Sequence, residues 1–348
     1  MATKKEAWYK LTKEDPLEPE LQICDPHHHL WDYPDSFPED RVPASARPVR
    51  HYLLKDLLED VGGGHNIVRT VFLQCSSQYR KDGPPEMSPV GETEFVQGIA
   101  AQAASGQYGN TLIAAGIISF ADLTLGAAVS PVLEAHIAAS RNRFRGIRFI
   151  TTWDASPDVS SRVKNPKLLA DPVFREGFAC LQRYNLSFDS WLYHTQLLDL
   201  ADLAKAFPYT MIILNHIGGP LGIGPYAGRR EKVFQVWKRG IAALAVCPNV
   251  LVKLGGLGMP LNGFSWFERP MPPGSAELAQ AMAPYYNYCI EKFGVSRCMF
   301  ESNFPVDRTS YSYTVVWNAF KRIAKNFSPS EKAALFYDTA VRAYRLMP

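Results

Sequence analysis

Leu21-Gln22-Ile23-Cys24-Asp25-Pro26-His27-His28-His29 decides how the rest of the chain reads: it is an apolar run of strand length with a polar tip. Side chains alternate along a strand, so His27 and His29 face one way and His28 the other. Seven more apolar, β-rich runs follow, at residues 67–76, 111–119, 144–150, 186–193, 210–216, 249–255 and 297–303. Helix-length segments alternate with them at 91–105, 131–141, 171–184, 196–207, 231–246 and 276–293, and two more, at 311–326 and 328–345, close the chain. This alternation is the pattern of parallel strands joined by crossover helices, and eight strands close a (β/α)8 TIM barrel. An open doubly wound sheet would carry a Gly-rich phosphate turn after its first strand, and none is present. Gly62-Gly63-Gly64-His65 lacks the Lys-Ser/Thr of a phosphate loop and reads as a helix stop and turn. The expected fold class is therefore α/β, a single-domain barrel over residues 21–348 after an N-terminal lead-in at 1–20.

A length of 348 residues also suits two domains at about 100–200 residues each, but one α/β barrel accounts for it. With 37 Lys and Arg against 34 Asp and Glu, the net charge of +3 gives no reason to expect nucleic acid or a membrane surface as partner. No apolar run is long enough to span a bilayer, and the charged opening residues lack the apolar middle of a secretory signal, so the cytoplasm is the expected compartment. The six cysteines form no CxxC pair, and several lie in apolar runs, which predicts buried, reduced thiols. A small-molecule substrate is the expected partner; self-association through the outer helices stays open.

The long inserts at 30–51, 78–89, 151–171 and 256–274 all follow the C-terminal ends of strands, where barrel enzymes build their sites. Polar strand tips at that face are the candidate functional residues. His27 and His29 on one face, with His216 at the tip of the sixth strand, converge on one opening. There, neutral imidazoles could ligate a divalent metal or hydrogen-bond an anionic substrate. Glu301 and Asn303 share a face of the eighth strand, with Glu301 roughly 6–7 Å deeper. Glu301 is expected to pair with Lys253 on the neighbouring strand in a structural role, with general acid–base work as the alternative. Asp189, inside the fifth strand, is a second candidate base. Arg148, ending the fourth strand, could bind a carboxylate or polarise an oxyanion. His194 is open between substrate contact and a helix start capped by Thr195. Trp31 and Trp191 could wall a ring-shaped substrate, although core packing explains Trp191 equally well. Tyr33, Trp153, Met259 and Phe264 lie in inserts expected to shape the pocket. His51, His65 and His136 read as ordinary surface or packing residues.

Taken in order, DPHHHLWD (25–32), TVFLQC (70–75), GIR (146–148), ILNHIGGP (213–220), VKLGGL (252–257) and MFESNFPVD (299–307) resemble the amidohydrolase superfamily. Within it they are similar to the amidohydrolase-related branch that includes pyrone-dicarboxylate lactonase and sugar lactonases. The resemblance spans most of the chain. It implies a (β/α)8 barrel whose site is made of His27, His29, His216 and the polar residue ending the last strand, with the three histidines as metal ligands. Zinc or manganese is the implied metal, and a metal-independent mechanism stays open. Members of the branch typically have aspartate where this chain has Asn303, and a neutral amide cannot serve as the base. The implied activity is hydrolysis of a lactone or cyclic ester of a small, anionic molecule by activated water. A metal-dependent decarboxylase of aromatic or unsaturated acids and a non-catalytic ligand-binding barrel are the alternatives.

Overall fold

The computed structural model describes residues 4–346; of the expected lead-in and barrel, residues 1–3 and 347–348 lie outside the described residues. Eight parallel strands follow one another around a single sheet in sequence order. They are β1 Gln22–His28, β2 Asn66–Leu73, β3 Leu112–Ser119, β4 Phe144–Ile150, β5 Ser187–Trp191, β6 Ile212–Leu214, β7 Val250–Leu254 and β8 Cys298–Phe300. The seam between β8 and β1 is joined beyond the regular strand. His28 and Phe304 form a parallel bridge, the His29 N–H donates to the Phe304 carbonyl at 2.8 Å, and the Asn303 N–H donates to the His27 carbonyl at 3.0 Å. Helices α1 Leu54–Val61, α2 Val90–Ala103, α3 Ser130–Ala139, α4 Pro172–Arg183, α5 Leu197–Ala206, α6 Arg230–Ala245, α7 Ser275–Phe293 and α8 Tyr313–Ile323 cover the strands. The result is the expected (β/α)8 barrel.

Local chemistry sets several element ends. At α4, Asp171 accepts from the N–H groups of Val173 and Phe174 at 2.9 and 3.1 Å, and Pro172 follows with its dihedral already helical. β6 and β8 stop two to three residues earlier than the apolar pattern predicts. His216, Ile217 and Asn303 have φ of 53°, 51° and 57°, left-handed values that turn the chain away from the extended backbone of a strand. The helix that Gly62 was expected to stop is α1, with Gly62 as its C-cap; among the elements not expected are a short helix Lys4–Tyr9 in the lead-in and a two-residue antiparallel pair, Trp31–Asp32 with His51–Tyr52, inside the insert after β1. The expected helix over 328–345 is interrupted by a π-helical segment, Ala334–Asp338, between Pro329–Ala333 and Thr339–Ala343.

Two apolar regions hold the barrel. The larger lies between strands and helices, with Phe174, Phe178, Trp237, Tyr286 and Trp317 among its buried side chains. The smaller fills the lumen: Cys24, Val71, Leu73, Ile118, Ile213, Leu251 and Met299 meet Ala340, Ala343, Tyr344 and Leu346 from the end of the chain. All six cysteines are free; four are buried, whereas Cys75 and Cys180 are half-buried. No helix among the described residues is long and apolar enough to cross a membrane. His65 and His136 are buried packing residues and His51 is exposed.

Candidate active site

The tips of β1, β6 and β8 bring together His27, His216 and Glu301, all fully or almost fully buried. Nδ1 of His27 lies 2.6 Å from Oε2 of Glu301, and Nδ1 of His216 lies 2.7 Å from Oε1. The His216 backbone N–H donates to that same Oε1 at 3.1 Å. One carboxyl group thus faces two imidazoles, hydrogen-bonded to His216 and in close contact with His27, whose ring centroids are 4.5 Å apart. His29 joins them with its ring 5.0 Å from that of His27, as the strand alternation requires, while His28 turns away toward Phe72. Nδ1 of His29 sits 2.8 Å from the Leu73 carbonyl, an acceptor only, so this nitrogen carries the proton. Trp31 stacks on His29 at 5.7 Å, and Trp191 sets its edge against His216 at 4.7 Å, so both tryptophans flank the histidines.

Glu301 does not pair with Lys253 as expected. The Lys253 ammonium lies 2.9 Å from Oδ1 of Asp189, and its next neighbour is Nδ1 of His27 at 3.4 Å. The same Asp189 oxygen accepts from Asn215 Nδ2 at 2.9 Å and from the Tyr344 hydroxyl at 2.8 Å. Asp189 is thereby the buried counter-ion of Lys253, and Glu301 is left to the histidines. Glu301 keeps the inward face of Met299, two residues before it, and its N–H donates to the Leu254 carbonyl at 3.3 Å; from there its carboxyl meets the histidines of β1 and β6.

Electrostatics keep the imidazoles neutral. Burial drives His27 and His216 well below the usual histidine range, reinforced by the nearby cations Lys253 and Arg148; burial followed by Arg148 does the same at His29. Burial pushes Glu301 up to about 8, against the opposing pull of Lys253 and Arg148. Arg148 is buried beside this group, with Nη1 donating to the Gln74 carbonyl at 2.8 Å and Nε without a protein partner. Asn303, the departure from the family pattern, donates its amide to Oδ1 of Asp307 at 2.8 Å. Asp307 in turn accepts at Oδ2 from the Tyr311 hydroxyl at 2.6 Å and the Gly258 N–H at 3.1 Å.

Three further expectations need correction. The donor atoms that lie within 4.8 Å of one another belong to His27, His216 and Glu301, so the group able to hold a metal contains Glu301 where His29 was expected; His29 lies outside that group, with its Nδ1 proton on the Leu73 carbonyl and Nε2 left as the acceptor. His194 stands apart, with its ring against Tyr226 at 5.1 Å and Nδ1 3.4 Å from the Leu221 N–H. None of its contacts among the described residues reaches the three histidines. Thr195 does not cap the following helix; the side chain of Gln196 accepts from the Tyr193 N–H at 3.2 Å.

Sequence reasoning missed the residues that make room. A Cβ on Gly256, which has φ +74°, would lie 2.4 Å from Nδ1 of His216, and one on Gly255 would lie 2.3 Å from Cγ of Glu301. The Gly255-Gly256 pair after β7 therefore lets the backbone pass directly behind the two functional side chains. Asp25 was also missed. It accepts from the Ser302 N–H and hydroxyl at 3.0 and 2.6 Å and from the Tyr313 hydroxyl at 2.9 Å, tying β1 to the residues after β8. Asp25 next to the histidines and Gly-Gly after Lys253 were visible signals.

A parallel eight-stranded barrel with imidazoles and a buried carboxylate at its mouth is the arrangement of a barrel hydrolase. The family model described as Amidohydrolase matches residues 24–346, and the chain belongs to that family. Protein y4mH of Sinorhizobium fredii, itself uncharacterized, is 34% identical over 335 residues, covering 94% of this chain and 99% of its own. The L-fucono-1,5-lactonase of Burkholderia multivorans is 27% identical over 177 residues, 51% of this chain and 57% of the lactonase. A crystal structure of an amidohydrolase from Burkholderia multivorans with bound zinc superposes with a TM-score of 0.71 at 23% identity, covering 94% of this chain and 100% of that one. The chain is a hydrolase of this family.

Proposed function

We propose that this hydrolase opens a lactone or similar cyclic ester of a small, anionic molecule. The observation that carries the reading is the pair of neutral imidazoles held on Glu301 at the barrel mouth. Nε2 of His27 is buried without a protein partner, which leaves it to accept the proton of an attacking water. Glu301 against Nδ1 stabilises the imidazolium that forms, the relation found in histidine–carboxylate pairs generally. Water adds to the ester carbonyl, the ring C–O bond breaks, and His27 returns its proton to the departing alkoxide to give the hydroxy acid. Arg148 offers its unpartnered Nε to the carbonyl or a substrate carboxylate. Trp31 and Trp191 give the ring flat walls. The L-fucono-1,5-lactonase relative supports the substrate class.

Two imidazoles and a carboxylate, with His27 Nε2 unsatisfied, also fit a divalent ion such as zinc or manganese. His27, His216 and Glu301 would hold it. When bound, it would polarise the carbonyl and acidify water. A cytoplasmic setting suits the free thiols, and a small molecule is the partner this buried site suits.

A panel of lactones assayed with and without chelator tests the proposal. Ring opening is expected in the wild type and is lost in His27→Ala and His216→Ala with circular dichroism unchanged; full activity in both variants overturns it. Carbon dioxide release from an aromatic acid with no lactone opened would replace the hydrolase mechanism by a lyase one. A stable complex with unchanged lactone would leave only a binding barrel.

A further inference from the structure

At the same end of the barrel, beyond β2, β3 and β4, lies a cavity of about 410 Å³ that the chemistry above does not use. It adjoins the site at Gln74, whose carbonyl accepts from Nη1 of Arg148 at 2.8 Å. Gln74 lines it directly after Leu73, whose carbonyl meets His29, and Phe149 lines it directly after Arg148. Its floor is aromatic, with Phe120 and Phe149 packed at 5.2 Å between ring centroids. On one side, Gln74 is buried with its side-chain oxygen unpartnered while its amide is spent on Ser76 Oγ at 2.7 Å and the Tyr79 hydroxyl at 3.3 Å. On the rim, the insert after β4 contributes Arg162 and Lys164, and neither has a carboxylate within ion-pair distance among the described residues. The insert is fastened where it presents them, since the Arg162 N–H donates to the Thr152 carbonyl at 2.8 Å. The one carboxylate in the lining, Asp122, lies after β3 and is engaged by the Thr124 N–H at 3.0 Å and hydroxyl at 2.6 Å.

We infer that this cavity is a subsite for a substituent on the substrate ring: an aromatic group that ends in an anion. The inference rests on the lactonase reading and specifies its substrate. The ring lies on Phe120 and Phe149, since a cavity of this size and aromatic lining buries a single ring well. The anion pairs with Arg162 and Lys164, because the lining holds two cations without a carboxylate partner among the described residues, and its one carboxylate, Asp122, would repel an anion. Gln74, with a buried acceptor and no donor supplied by the protein, receives a hydroxyl from the same molecule.

The test compares δ-valerolactone with the same lactone bearing a 4-carboxyphenyl group, in wild type and in Arg162→Ala/Lys164→Ala, and measures 4-phenylbutyrate binding by calorimetry. Both substitutions are on the exposed rim and spare the fold. The expected result is a kcat/KM at least tenfold higher for the carboxyphenyl lactone, an advantage lost in the double variant while δ-valerolactone changes less than twofold. 4-Phenylbutyrate is expected to bind the wild type and at least tenfold more weakly the variant. Equal kcat/KM for the two lactones, or 4-phenylbutyrate binding that is absent or indifferent to the double substitution, overturns the subsite even if lactones are hydrolysed. Binding that depends on Arg162 and Lys164 in a protein that opens neither lactone supports the subsite and defeats the lactonase reading instead.

Discussion

The lumen and the mouth of this barrel are built from the same strands and obey opposite rules. In the lumen, Val71, Ile118, Ile213, Leu251 and Met299 close around the side chains of Tyr344 and Leu346 in an apolar cluster. At the mouth, Arg148, Lys253, Asp189, Glu301 and three histidines are buried together, at a desolvation cost that only mutual pairing offsets. The boundary is one side chain: Tyr344 packs its ring in the lumen and gives its hydroxyl to Asp189. The lesson is that the chain's terminal segment, far from the chemistry in sequence, supports the charged layer from below. It does so by supplying one of three donors to the carboxylate that neutralises Lys253.

The largest expected effect separates the two layers by function. Glu301→Gln keeps the volume but replaces the titratable carboxyl that faces both imidazoles by an amide that cannot take up or release a proton, and kcat/KM should fall about 10³-fold, the order associated with general acid–base groups. An unchanged rate, with thermal unfolding also unchanged, would mean that the mouth is only a structural polar layer. Next comes Lys253→Met, which leaves Asp189 buried without its cation and should cost about 3 kcal/mol in denaturant unfolding. Adding Asp189→Leu to it should recover much of that stability; if the double variant is no more stable than Lys253→Met, the pair is not what holds this layer.

Glu92 sharpens the comparison because it is a buried carboxylate near the mouth that has no cation as partner. Its Oε1 accepts from the N–H groups of Cys75 and Ser77 at 3.1 and 2.8 Å, and burial raises its pKa from 4.5 to about 7. The native state therefore holds this proton more tightly than the unfolded chain. Its contribution to stability is fully present below about pH 4.5 and declines as pH rises to about 7. The difference in unfolding free energy between wild type and Glu92→Gln should drift in that window and be flat above it; no drift would show that Glu92 titrates normally. The smallest effect belongs to Tyr344→Phe, which removes one hydrogen bond to Asp189 and leaves the lumen filled. A loss of about 1 kcal/mol with kcat/KM nearly intact is expected, whereas a large fall in activity would place Tyr344 in the mouth functionally as well as by contact.

Strand-length apolar runs with polar tips made the barrel legible, because a parallel strand buried on both faces must be apolar along its body whatever its neighbours are. The same tips made His27, His29, His216 and Arg148 legible as residues of the mouth. The pairing of carboxylates was not legible. Asp189 and Glu301 are both inward-facing carboxyls, and which of them meets Lys253 was set by the positions of side chains from strands distant in sequence around the mouth. The insert after β1 also hid its short strand pair, because Trp31–Asp32 and His51–Tyr52 pair across a loop with no periodic signal of its own.

The sequence alone determined what is repeated and local: the order of strands and helices, the polar strand tips, and the alternation that sets His27 beside His29. Only the tertiary structure decided which buried charge faces which, because attraction between charges depends on separations of a few ångströms. Those separations are set by strands distant in sequence and by the exact point where each one ends.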